Sequence, residues 1–276
     1  MALFFNTSTN AGTGQRLTGF ARYCELLERD FKRFFIVNAL TLLGFLPFIC
    51  GVIFSILSSS IIFLIPICIA SGIIAGPALS CMYDTVFRSL RDAPGKCMEN
   101  YKRAWKQNWR QSVIPGIVLC LLLGFDAFMM AIMWWWAPSS PGFGTITIYI
   151  LGLTLMTMFF SIYLPQLVLF EQTGRQRFKN CLLFIIRFFW KILGCSMLQV
   201  LYWTIIVLFL PWSSVILPLT GVWFIVYLVN FLLYNTLDSV FQIEEQIAQV
   251  FPEQAAYYED DETWLERKQA EQNQTD

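Results

Sequence analysis

Six stretches of almost uninterrupted apolar residues, at about 34–57, 61–81, 113–137, 146–170, 182–210 and 213–234, are separated by shorter polar segments. Most match the roughly 20 residues that a helix needs to cross about 30 Å of hydrocarbon. None alternates polar and apolar positions as a barrel strand does, and a lipid-exposed backbone must satisfy its own hydrogen bonds. The pattern therefore predicts an all-α polytopic membrane protein with six transmembrane helices. Ahead of the first run, Leu17, Phe20, Cys24, Leu27, Phe31 and Phe34 recur at steps of three and four among Arg22, Glu25, Arg29, Lys32 and Arg33. That spacing predicts an amphipathic helix lying on the inner leaflet, a reading preferred to a partner-binding helix because of its basic character.

Between the second and third runs, Ala93-Pro94-Gly95 stops one helix and a second begins, carrying Met98, Tyr101, Trp105 and Trp109. Three segments follow: 1–33, an N-terminal stretch with the interfacial helix; 34–235, the six-helix membrane domain; and 236–276, a tail. Within the tail, Val240, Ile243, Ile247 and Val250 keep helical spacing, whereas Glu259-Asp260-Asp261-Glu262 and the Gln-rich end read as a solvated segment.

Charge adds direction to this picture. All nineteen Lys and Arg residues fall in 16–33, 88–110, 175–191 and 267–268, and the turns 58–60, 138–145 and 211–214 hold no charge. Loops that stay on the cytoplasmic side retain Lys and Arg, so the expectation is three outward hairpins with both termini cytoplasmic, in a multi-pass membrane protein. The opening Met1-Ala2-Leu3-Phe4-Phe5 lacks a basic n-region, so the first span is expected to serve as the insertion signal. Residues 1–235 carry 17 basic and 8 acidic side chains, a net of +9, and residues 236–276 carry 2 basic and 11 acidic, a net of −9. A tail that folds back over the basic loops is the sharper alternative to a merely solubilising one.

Composition limits the chemistry. Hydrophobic residues make up 57% of the chain and charged residues 14%. Without any histidine there is no His general base, no Ser-His-Asp triad and no His-metal site. The eight cysteines form no CxxC pair and read as reduced, small apolar residues. Neither a GxxxxGK[ST] loop nor a GxGxxG fingerprint occurs. The expectation is a non-enzymatic protein with no cofactor and no catalytic or metal-binding residues.

Three residue sets remain as candidates. Asp126 is an acidic residue deep inside a span, so it should face the bundle and be neutral or paired, with Asn38, Gln199, Asn230 or a tyrosine as hydrogen-bond partner. It reads equally as a proton or substrate site and as a bundle-locking hydrogen bond. Cys68, Gly72, Gly76 and Ser80 recur every four residues and form a small-residue stripe for helix packing. Lys102, Arg103, Trp105, Lys106, Trp109 and Arg110 mix cations with aromatics at a span's edge, which points to a bilayer with anionic headgroups rather than to nucleic acid. Trp134-Trp135-Trp136 reads as an aromatic belt at the outer face, and Pro47, Pro66, Pro77, Pro115, Pro165 and Pro218 as potential kinks.

The segment Phe35-Ile36-Val37-Asn38 through Leu46-Pro47, then Gly76-Pro77-Ala78 with Tyr83, Arg88 and Arg91, then Tyr101, Asn108 and Gln111-Ser112, resembles the YesL-like family of uncharacterised bacterial membrane proteins. Tyr163-Leu164-Pro165, Glu171 and Lys179-Asn180 are similar to its second half. Such proteins are often encoded near carbohydrate-uptake transporters. The resemblance thus implies an accessory or regulatory role beside a sugar-transporter subunit and brings no catalytic residue with it. A small transporter with a midplane polar site around Asp126 is the alternative.

Overall fold

The computed structural model of the chain describes residues 19–246 apart from 94, 136, 138–140, 211 and 244. The polar run 6–15, Leu17, Trp136, and the tail's Ile247, Val250 and acidic run 259–262 lie outside the described residues. Those described form eight helices and no strand: α1 Gly19–Leu57, α2 Ile61–Leu90, α3 Cys97–Trp135, α4 Phe143–Leu169, α5 Gly174–Arg187, α6 Phe189–Leu208, α7 Ser213–Ile216 and α8 Gly221–Phe241. Six of them, all but α5 and α7, are long and apolar enough to cross a membrane.

Two compact units divide the chain, one of Asp30–Leu233 and one of Met1–Arg29 with Tyr234–Asp276. In the smaller unit, Arg22 and Glu25 pair at 2.9 Å across one turn of α1, and Leu26, Leu237 and Ile243 are buried. The larger unit is built around α2, which is buried on nearly every face from Ala75 to Leu90. Its apolar core joins Val52, Leu64, Cys68, Ala75, Cys120 and Phe128. Beside α2, α1 closes in where it has no side chain: a methyl on Gly44 would stand 2.7 Å from the Ala78 Cβ. Farther along, Phe34 of α1 stacks on Trp223 of α8 at 5.3 Å.

Local signals set the ends of these helices. The α1–α2 turn is only Ser58 to Ser60, closed by Ser60 N donating to Ser55 O at 3.1 Å, with Ser59 at φ +49. After α2, Asp92 and Gly95 take φ +55 and +127, at the predicted breaker. Both α1 and α3 are 39 residues long, about 58 Å at 1.5 Å per residue, so each carries its amphipathic segment and its span in one helix.

Two apolar runs are organised differently from the expectation. The run 182–210, read as one crossing, is divided at Phe188 (φ −117, ψ 33) into the end of α5 and the whole of α6. Arg187 and Lys191 flank the break, and their charges are costly within hydrocarbon, so the crossing is left to α6. The run 213–234 becomes a membrane-length helix only from Gly221, because residues 213–220 form short α7 and turns that include Pro218.

Helix α5 starts on a signal that its apolar pattern hides. Thr173 and Gln176 form a capping box, with Thr173 N donating to Gln176 Oε1 at 3.1 Å and Gln176 N to Thr173 Oγ1 at 3.4 Å. The charge asymmetry yields a direct test of threading. A membrane-impermeant maleimide applied to intact cells should label Ser58→Cys, and should label Lys179→Cys only after permeabilisation, as read by peptide mass mapping. The reverse result would overturn the orientation.

Candidate functional site

A constellation of aromatic rings and exposed cations lies on the first half of α3. Tyr101, Trp105 and Trp109 follow one another at four-residue steps, with ring centroids 6.0 and 5.4 Å apart. Ala104, Asn108 and Ser112 are buried on the neighbouring face of the helix, and the ladder is half-buried along its flank. Lys102, Arg103, Lys106 and Arg110 stand exposed beside it. Arg103 Nη2 donates to Asn100 Oδ1 at 3.1 Å, and among the described residues none of the four cations is paired with a carboxylate. Tyr101, Lys102, Arg103, Trp105, Lys106 and Gln107 line a shallow groove of about 730 Å³. Chemically this is a surface for an anion with an apolar component, since ring faces and hydrated cations alternate along it.

The acidic groups nearer the bundle are engaged. Asp84 accepts from Arg88 Nε at 2.7 Å, and Asp30 pairs with Arg33 at 3.0 Å while accepting from Ser89 Oγ of α2 at 2.7 Å. Asp126 differs from them. It is half-buried on α3, within electrostatic reach of Tyr149 on α4, and no hydrogen bond among the described residues joins it to Asn38, Gln199 or Asn230.

Those three amides each have different partners. Asn38 Nδ2 donates to Leu217 O at 3.1 Å and Pro218 O at 2.9 Å, and its Oδ1 accepts from Val222 N at 2.9 Å and Trp223 N at 3.4 Å. One side chain of α1 thus caps α8 from outside. Gln199 donates to Ser161 Oγ. Asn230 Nδ2 donates to Val226 O at 2.6 Å within α8, and its buried Oδ1 has no hydrogen-bond partner. The set grouped by sequence depth is dispersed around the bundle, because depth along a span says nothing about which way a residue faces.

The small-residue stripe Cys68, Gly72, Gly76 and Ser80 is buried throughout. A Cβ on Gly72 would meet Ile117 Cα at 2.5 Å, and one on Gly76 would meet Ser112 O at 2.3 Å. Gly116 completes the contact from α3, where an added Cβ would stand 2.4 Å from Gly76 Cα. Backbone meets backbone here, as small residues allow in membrane helices.

Two arrangements escaped sequence reasoning. Along α4 and α6 a polar seam runs inside apolar spans: Ser196 Oγ donates to Thr154 O at 2.7 Å and bonds Thr157 Oγ1, and Gln199 continues it to Ser161. Its signal in the sequence is Thr154, Thr157 and Ser161 at helical spacing. The other is Arg177. Only 2% exposed, it donates from Nη2 to Gln111 Oε1 of α3 at 2.7 Å and to Gln172 O at 3.1 Å, and its guanidinium lies 5.5 Å from the Tyr163 ring of α4. The stripe of buried residues on α5 is Arg177, Cys181 and Phe184, so the cue was an arginine on the buried face.

Among the described residues, no group of three or more His, Cys, Asp or Glu side chains is placed to hold a metal ion. Residues 33–129, from Arg33 in α1 through most of α3, match the model of a family described as a protein of unknown function, DUF624. The matched stretch contains Asn38, the glycine stripe and the aromatic ladder, and it ends before Tyr163, Glu171 and Lys179. No curated protein and no solved structure matches the chain.

Proposed function

We propose that this chain is a non-enzymatic accessory or regulatory partner of another membrane complex in a bacterial cytoplasmic membrane. The observation that carries the reading is the half-buried aromatic ladder of α3 with the exposed cations beside it. Lys102 lies eleven residues before Val113, about 16 Å along the helix axis, so the outer part of the ladder extends beyond the spanning segment. There it offers aromatic faces and unpaired cations to an acidic partner surface, while its inner end, at Trp109 and Arg110, meets anionic headgroups. The resemblance to YesL-like proteins supports carbohydrate uptake as the process served, with a sugar-importer subunit as the partner.

A small transporter is the second reading, and the observation favouring it is Asp126, an acidic residue half-buried in an apolar span. Against it, Asn38 and Gln199 bond groups on other helices or turns, and Asn230 bonds its own helix, none of them Asp126. Co-purification and reconstitution separate the two readings. The purified chain alone should produce no sugar flux in vesicles, and it should be retained by a carbohydrate permease complex. Lys102→Glu together with Lys106→Glu should weaken that retention by about tenfold or more, because like charges placed at an interface repel. Flux by the isolated chain, abolished in Asp126→Asn, would replace the accessory reading with the transporter.

A further inference from the structure

We propose that the junction of α4 and α5 is a binding site for a phosphomonoester-type anion, anchored by Arg177. A guanidinium stays charged in proteins, and removing it from water is costly unless an opposite charge and acceptors for its N–H groups come with it. Arg177 has acceptors for Nη2 alone, both of them neutral, and its buried Nε has none. Glu171 is the nearest carboxylate in sequence; it is exposed, and it forms no ion pair with Arg177. Arg175 and Lys179 stand exposed on the same helix and add to the positive field, as does the N-terminal end of α5. The junction therefore holds an uncompensated buried cation.

A second orphan belongs to the same helix end. Gln166 is fully buried, and neither its Nε2 nor its Oε1 has a hydrogen-bond partner. It lies three residues along α4 from Tyr163, the residue whose ring faces the Arg177 guanidinium, so the two share one side of the helix. The unmet needs are a negative charge, acceptors for Nε and for the Gln166 amide N–H, and a donor for the Gln166 carbonyl. A carboxylate meets all but the last. A monohydrogen phosphate group supplies both ionised oxygens and an O–H, and Arg is well shaped to hold it.

The same chemistry is found on a soluble phosphate and on a lipid headgroup. Phe178, Leu182, Leu183 and Ile186 of α5 are all exposed, which places this helix against hydrocarbon and Arg177 near headgroup depth. The site stands independently of the docking role given to α3.

Cys181 supplies the readout. One turn beyond Arg177 it is fully buried, its Sγ lies 3.4 Å from Phe159 O of α4, and burial pushes its thiol up to about 12. It reacts only when α4 and α5 part. With the full chain in phosphatidylcholine nanodiscs, N-ethylmaleimide labelling at Cys181 should slow by about tenfold on adding inorganic phosphate in place of chloride, or on including phosphatidic acid in place of phosphatidylserine. Protection by phosphate identifies a soluble ligand, and protection by phosphatidic acid alone identifies the lipid. Arg177→Gln should abolish the protection, Arg177→Lys should retain part of it, and Gln166→Leu should weaken it. Wild-type labelling that responds to neither addition overturns the proposal without reference to any variant, and so does equal protection in Arg177→Gln.

Discussion

Replacing Gly76 with leucine should leave almost no folded protein in the membrane, and replacing it with alanine should cost about 3 kcal/mol, the upper part of the range for overpacking. The obstacle to the new Cβ is the Ser112 carbonyl oxygen at 2.3 Å and the Gly116 Cα at 2.9 Å. Both belong to the backbone of α3, so no side chain can rotate away, and the helices must separate along the seam that closes the core. Alanine's better helix propensity, about 1 kcal/mol over glycine, opposes this loss and is too small to cancel it. Gly152 is the control. Nothing lies within 4 Å of a Cβ built there, so Gly152→Ala should be neutral or slightly stabilising. Unfolding of the purified variants in mixed micelles measures both, and a Gly76→Ala protein as stable as wild type would refute the tight seam.

Asn38→Leu should destabilise the protein by about 3 kcal/mol, since it strips partners from two carbonyls and two amides at one helix entrance. Leu217 O, Pro218 O, Val222 N and Trp223 N all depend on this side chain. Asn38→Asp keeps an acceptor for the two amides and loses the donor to the carbonyls, so it should recover only part of the stability. A Cβ on Gly221 would come within 2.7 Å of Asn38 Oδ1. Gly221→Ala and Asn38→Leu should therefore be non-additive, because leucine leaves no amide to displace. Additive losses in a double-mutant cycle would show that the cap and Gly221 do not share one contact.

Much of the architecture was legible because lipid imposes a simple code. The apolar runs each overlap one membrane-length helix, Ala93-Pro94-Gly95 marked the break between α2 and α3, and within the four-residue stripe Cys68, Gly72 and Gly76 meet α3. What the pattern missed are features that hydrophobicity does not encode. Helices α1 and α3 continue past their apolar stretches because nothing stops them, so a span's end is not a helix's end. The division at Phe188 has no proline or glycine to announce it, only Arg187 and Lys191 on either side. Asp126, Asn38, Gln199 and Asn230 were grouped by depth, whereas their partners depend on rotation about each helix axis. Arg177 was counted with the loop cations because the Thr173 and Gln176 cap, which carries it into the buried stripe of α5, precedes the apolar run.

The glycine seam has a mechanical corollary. Where two main chains touch with no intervening layer of side chains, sliding by a fraction of an ångström drives carbonyl oxygens into α-carbons, so α2 and α3 travel as one strut. Rearrangement on partner or anion binding then falls to the sparser contacts around that strut, those of α4 among them. The aromatic ladder of α3 and Gln111, the residue that Arg177 grips, then move together on that strut.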